Sequence, residues 1–121
     1  MPKTVNDLNK HKFISFGKGA PSPVYNPDWA LKLGMQDGKK RKTVMKVNSV
    51  MGLLLAVESG VGLAALPEYL ASSSTNIIKV LPKSEGPITE AHFVYPESLR
   101  NVARVQAFRN FLYSKISEWE F

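Results

Sequence analysis

The sequence predicts an α/β fold: an open, mainly parallel sheet flanked by helices. Two observations carry this. Short apolar runs at 12–16, 44–47, 63–66, 77–81 and 91–95 are each bounded by Gly, Pro or small polar residues, as buried strands are. Helical patterns fall between several of these runs, and strands alternating with helices mark a parallel sheet.

At the N-terminus, Thr4 to Asp7 has the residues to cap a short turn. Phe13, Ile14 and Phe16 then suit a buried strand spanning Lys12–Phe16. GKGAPSPVYNP follows and must be a loop, being dense in Gly and Pro. Asn26 is placed as an N-cap with Pro27 at the first helical position, and Gly34 is placed to end that helix, while DWALKLGM also admits a strand. MQDGKKRK forms a polar turn leading to a buried strand at Val44–Val47. Asn48 and Ser49 make a polar corner before a helix whose residues Val50, Met51, Leu53, Leu54, Leu55, Ala56 and Val57 are apolar all round. Such a helix is covered on more than one side.

Gly60 and Gly62 predict a tight turn that needs positive φ. The strand Leu63–Leu66 breaks at Pro67, and Glu68–Ala71 reads as a helical turn. Ile77–Leu81 is a strand closed by Pro82, and Ala91–Tyr95 is one stopped by Pro96. Val102–Trp119 is the clearest helix, with Val102, Val105, Phe108, Phe111, Leu112 and Ile116 at three- and four-residue spacing.

The 121 residues suffice for one domain core without disulfides. The chain has no cysteine, so thiolate metal sites and cysteine nucleophiles are excluded. No apolar run reaches membrane-span length, and the polar MPKTVNDLNKHK start has no signal-peptide character. Cytoplasmic location and no membrane partner are expected. The net charge of +6 includes the run Lys39, Lys40, Arg41, Lys42, which with no interleaved aromatic reads as a solvated loop.

Catalysis finds little support. There is no Gly-x-Ser-x-Gly elbow and no phosphate loop. His11 and His92 lie far apart with no carboxylate at ligand spacing, so no metal site is expected; His11 reads as solvated and His92 as in or beside a strand. Asp28 and Glu58 are isolated acids. No cofactor is implied. Binding is better supported, because ligands of open α/β sheets sit outside the C-terminal ends of the strands. Those positions are Phe16 and Gly17, Asn48 and Ser49, and Pro67. The free N–H groups of a helix start favour an anionic group such as a carboxylate. Ser49 suits a plain N-cap equally well, and both roles are compatible; Phe16 suits the core as well as a ligand.

The runs DLNKHKFISF, KVNSVMGLLLAVESGVGLAALPEYL, IIKVLP, HFVYP and VARVQAFRNFL, in this order, resemble the effector-binding domains of LysR-type transcriptional regulators. The resemblance implies one subdomain of a periplasmic-binding-protein type II-like fold. By that likeness, residues 1–98 are the second effector-binding subdomain. Residues 99–121 are the returning C-terminal helix that packs on a first subdomain. The DNA-binding domain and most of the first subdomain would lie outside this chain.

The resemblance also implies a small-molecule effector in the cleft between subdomains, and DNA contact only through an N-terminal winged helix-turn-helix. It further implies homo-oligomers in which the helix after Ser49 pairs with a neighbouring subunit, through Val50, Leu53, Leu54 and Val57. The function expected is effector sensing without catalysis. A fragment of a type II periplasmic solute-binding protein is the alternative, since it shares the architecture.

Overall fold

The structure, a computed structural model, describes residues 1–17 and 28–119. Its parallel sheet pairs β1 (Phe13–Phe16) with β2 (Thr43–Val47), in a register that sets Phe16 opposite Val47. On the other side of β1 a third extended segment makes one parallel bridge, Phe13 to Leu63. Leu63 donates to the Lys12 carbonyl at 2.8 Å and accepts from Ile14 at 2.9 Å. β1 is therefore central, with β2 and the 63–66 segment beside it.

All four β1 residues are buried, as a strand covered on both faces requires. Ile14 and Phe16 pack with Leu53 and Ala56 of α2 (Val50–Glu58), supported by Val47, Val61 and Leu66. Phe13 turns to the opposite face and packs with Leu8 and Leu31. Leu31 belongs to α1 (Trp29–Lys32), and Leu8 to a 3₁₀ turn at Asn6–Lys10. Each such side chain contributes about 1.5–3 kcal/mol through burial. The alternation of β1 thus joins two apolar clusters through one strand.

The N-terminal turn is closed reciprocally. Asp7 Oδ2 accepts from the Thr4 amide at 2.9 Å, the Thr4 hydroxyl at 2.9 Å and the Lys3 amide at 3.1 Å. The Asp7 amide returns a bond to Thr4 Oγ1 at 3.3 Å. These bonds, the Thr4 hydroxyl foremost, hold the Asp7 carboxyl below its ordinary pKa.

α2 begins at Ser49, in extended backbone, whose Oγ accepts from the Gly52 amide at 3.3 Å. It ends in a Schellman arrangement: Gly60 N–H bonds the Val57 carbonyl at 2.9 Å and Val61 N–H bonds that of Ala56 at 3.1 Å. Gly60 takes φ +74°, as this ending needs. Gly62 has no positive φ. A Cβ there would stand 2.6 Å from the Lys12 carbonyl oxygen, so Gly62 admits the close approach of β1.

Several sequence expectations are corrected. Val44 and Met45 of β2 are exposed, because among the described residues neither apolar cluster takes in their side chains. The 63–66 run makes a single bridge, and no strand forms at 77–81 or 91–95. Leu81 adopts φ +51° and accepts from Ser84 N at 2.8 Å, a turn that ends extension there. Residues 91–95 lack a strand partner among the described residues. Asn26 and Pro27, with the Gly/Pro loop from Lys18 onward, lie outside the described residues. Gly34 ends α1 with φ +69°, as expected.

Two compact units divide the chain between Thr89 and Glu90. The first holds the sheet, α1, α2 and α3 (Glu68–Ala71). The second holds a 3₁₀ turn at Glu97–Leu99 and α4 (Ala103–Ser117), with Val102 at its N-cap. Within it Phe93 meets Phe108 edge-on at 5.7 Å and Tyr95 at 5.5 Å. No described residue of α4 is buried; Phe108, Phe111, Tyr113 and Ile116 are all exposed.

Candidate functional site

The C-terminal ends of β1 and β2 lie side by side. The Gly17 amide donates to the Val47 carbonyl at 2.6 Å, extending the ladder one residue past β1. A Cβ on Gly17 would sit 3.5 Å from that oxygen, an ordinary contact, so this glycine is not sterically demanded. Asn48 and Ser49 follow directly and are exposed, and α2 starts at Val50. The first-turn N–H groups of a helix have no intrahelical partner, so this corner offers backbone donors beside amide and hydroxyl side chains.

Four of the five sequence-proposed ligand residues thus meet at one end of the sheet: Phe16, Gly17, Asn48 and Ser49. Their parts differ. The Phe16 side chain, 8% exposed, belongs to the core with Leu53, and only its backbone borders the corner. The Ser49 hydroxyl is the helix cap and remains exposed. Pro67 is half-buried and caps α3 at the end of the third extended segment; no bond links it to the corner.

The four residues proposed for subunit pairing are all at least half covered within the chain. Leu53 and Leu54 are buried, at 5% and 6% exposure, while Val50 and Val57 are half-buried against the core. The apolar residues that α2 presents outward are Met51, 53% exposed, and Leu55, 58% exposed. They stand four apart, on one helical face.

Arg41 departs most from its expected solvated state. It is 8% exposed and its guanidinium lies 5.7 Å from the Phe13 ring centroid. Nε donates to Asn9 Oδ1 at 2.8 Å, Nη1 to the Leu33 and Ala30 carbonyls at 2.8 and 3.3 Å, and Nη2 to the Val5 carbonyl at 3.3 Å. Burial lowers its pKa from the ordinary value, yet a guanidinium keeps its proton. Lys39, Lys40 and Lys42 stay exposed as expected, Lys40 pairing with Asp28 at 3.1 Å. The available signal was one arginine among lysines: only a planar fork of five donors can gather carbonyls from several directions.

Among the described residues no group of His, Asp and Glu is arranged to hold a metal ion, and no helix is long and apolar enough to cross a membrane. Of the other polar candidates, His11 is half-buried; His92 is exposed, 3.6 Å from Glu90. Glu58 accepts from the Ser74 hydroxyl at 2.5 Å.

The family model described as the LysR substrate binding domain matches residues 1–116. No curated protein and no solved structure gives a significant match. The family has a periplasmic-binding-protein type II-like α/β fold, the class to which a parallel sheet flanked by helices conforms. With that match across nearly its whole length, the chain belongs to the LysR substrate-binding domain family of transcriptional regulators.

Proposed function

We propose that this effector-binding portion takes a small molecule at the corner formed by Gly17, Asn48 and Ser49, with Pro67 on the rim. The observation carrying this is the Gly17–Val47 bond, which sets two parallel strand ends together beside the α2 N-terminus. Free backbone donors at that point favour a carboxylate or another anionic group. Residues 1–98 would form one wall of the cleft, and residues 99–121 would return to pack on the subdomain forming the other. The exposed aromatic and aliphatic side chains of α4 support that second assignment.

In this reading the chain senses effector without catalysis and does not grip operator DNA by itself. It works in the cytoplasm, where the chromosome is. DNA is engaged through a winged helix-turn-helix elsewhere in the regulator. Subunits associate through α2, with Met51 and Leu55 as the outward residues. Effector binding would bias the subunit arrangement and so the DNA-bound state.

Ser49→Ala in the full-length regulator tests the site. Loss of the cap alone costs about 1 kcal/mol of stability. The proposal expects the inducer response to fall well beyond what that loss explains. A normal response with a lowered melting temperature would reduce Ser49 to a helix cap. A mobility shift with these 121 residues, surviving competitor DNA at physiological salt, would overturn the DNA statement.

A further inference from the structure

A second concavity lies at the opposite end of β1 from the effector corner. It is an open groove lined by Lys10, His11 and Lys12 on one side and by the 60–63 stretch on the other. Two lysines and a histidine, consecutive in the chain, line it, and no Asp or Glu does. Gly60 and Gly62 contribute no side chain to the far wall. Lys12 Cβ comes 3.3 Å from where a Gly62 Cβ would stand, so the Lys12 side chain leaves the backbone on that side.

The neighbouring carboxylates hydrogen-bond to other groups, although Asp7 keeps a charge that acts on Lys10. Asp7 is taken up by the Lys3 and Thr4 amides and the Thr4 hydroxyl. Glu58 holds the Ser74 hydroxyl. The Val57 and Ala56 carbonyls at the end of α2 are capped by Gly60 and Val61 N–H groups, which blunts the negative end of the helix where it nears the groove. We propose that this groove is an anion site for a phosphoryl group, either free phosphate or the phosphate of a small phosphomonoester. Two lysines lining one open groove suit a dianion with three acceptor oxygens better than a single carboxylate. The site is independent of the effector corner.

The test is a titration of the full chain with inorganic phosphate at constant ionic strength, followed by amide chemical shifts. Saturable shifts are expected at Lys12 and Gly60–Leu63 and not at Asn48 or Ser49. The double variant Lys10→Ala/Lys12→Ala, at two exposed positions, should weaken binding about tenfold or more. Lys39→Ala/Lys42→Ala removes equal charge elsewhere and should leave it unchanged. Ser49→Ala should also leave it unchanged, whatever it does at the effector corner. Ribose 5-phosphate binding more tightly than phosphate identifies a phosphomonoester as the ligand; equal or weaker binding identifies phosphate itself. Shifts that do not saturate, that sodium chloride reproduces, or that both lysine pairs reduce equally would overturn the proposal.

Discussion

Arg41 reaches back across 32 residues to donate from Nε to Asn9 Oδ1 at 2.8 Å. Its two terminal nitrogens take carbonyls of Val5, Ala30 and Leu33, so one guanidinium joins the N-terminal turn, α1 and the approach to β2. All four acceptors are neutral. A buried charge without a counter-charge is tolerated only when its donors are satisfied, which makes Arg41 a tie rather than part of a solvated run.

Arg41→Ala should therefore destabilise the fold by about 2–4 kcal/mol, because the oxygens it gathers lose their donor in the interior. Arg41→Lys should recover little, since one ammonium cannot span the same acceptors. Chemical denaturation of the three proteins measures this. A fully stable Arg41→Lys would show that charge, not the fork geometry, is what the site uses.

Two nearby glycines should respond unequally to alanine. Gly60→Ala meets open space and suffers only its φ of +74°, at a cost of about 1 kcal/mol. Gly62→Ala drives a Cβ to 2.6 Å from the Lys12 carbonyl and should cost more, loosening the Leu63 bridge. Hydrogen exchange at the Leu63 and Ile14 amides reports that loosening directly.

Charge at two adjacent α2 positions should have opposite consequences. Leu54→Glu places a carboxylate at a buried position and should unfold the chain. Leu55→Glu alters an exposed position and should leave the circular dichroism spectrum intact while weakening self-association. Light scattering of the folded variant measures association. An undiminished oligomer in Leu55→Glu would remove α2 from the subunit contact.

Asp7 should make stability acid-sensitive. Its folded pKa lies below the ordinary 3.8, so its contribution is fully present above that value. The contribution disappears as pH falls through the lower, folded value. Asp7→Asn should accordingly be less stable than the parent at about pH 6, with the difference shrinking as pH falls below the ordinary 3.8 and through the lower, folded value. A difference constant with pH would mean that the Thr4 and Lys3 bonds do not depend on the carboxylate charge.

Much of this was readable in the sequence, for physical reasons. Local rules decide where an element starts and stops, so Ser49 as a cap, Gly34 and Gly60 as helix ends and the 13–16 strand were all legible. The strand-end corner also followed, because parallel α/β topology sets β1 and β2 ends together once their elements are identified. Which side of an element is covered depends on neighbours distant in the chain. Periodicity therefore could not distinguish buried Leu54 from exposed Leu55, nor show that Val44 of β2 is exposed. The apolar runs at 77–81 and 91–95 have strand composition, yet a strand exists only where another offers it a ladder. Arg41 is the limiting case: its role lies in acceptors 8 to 36 residues away, and only the folded chain brings them within reach of one guanidinium.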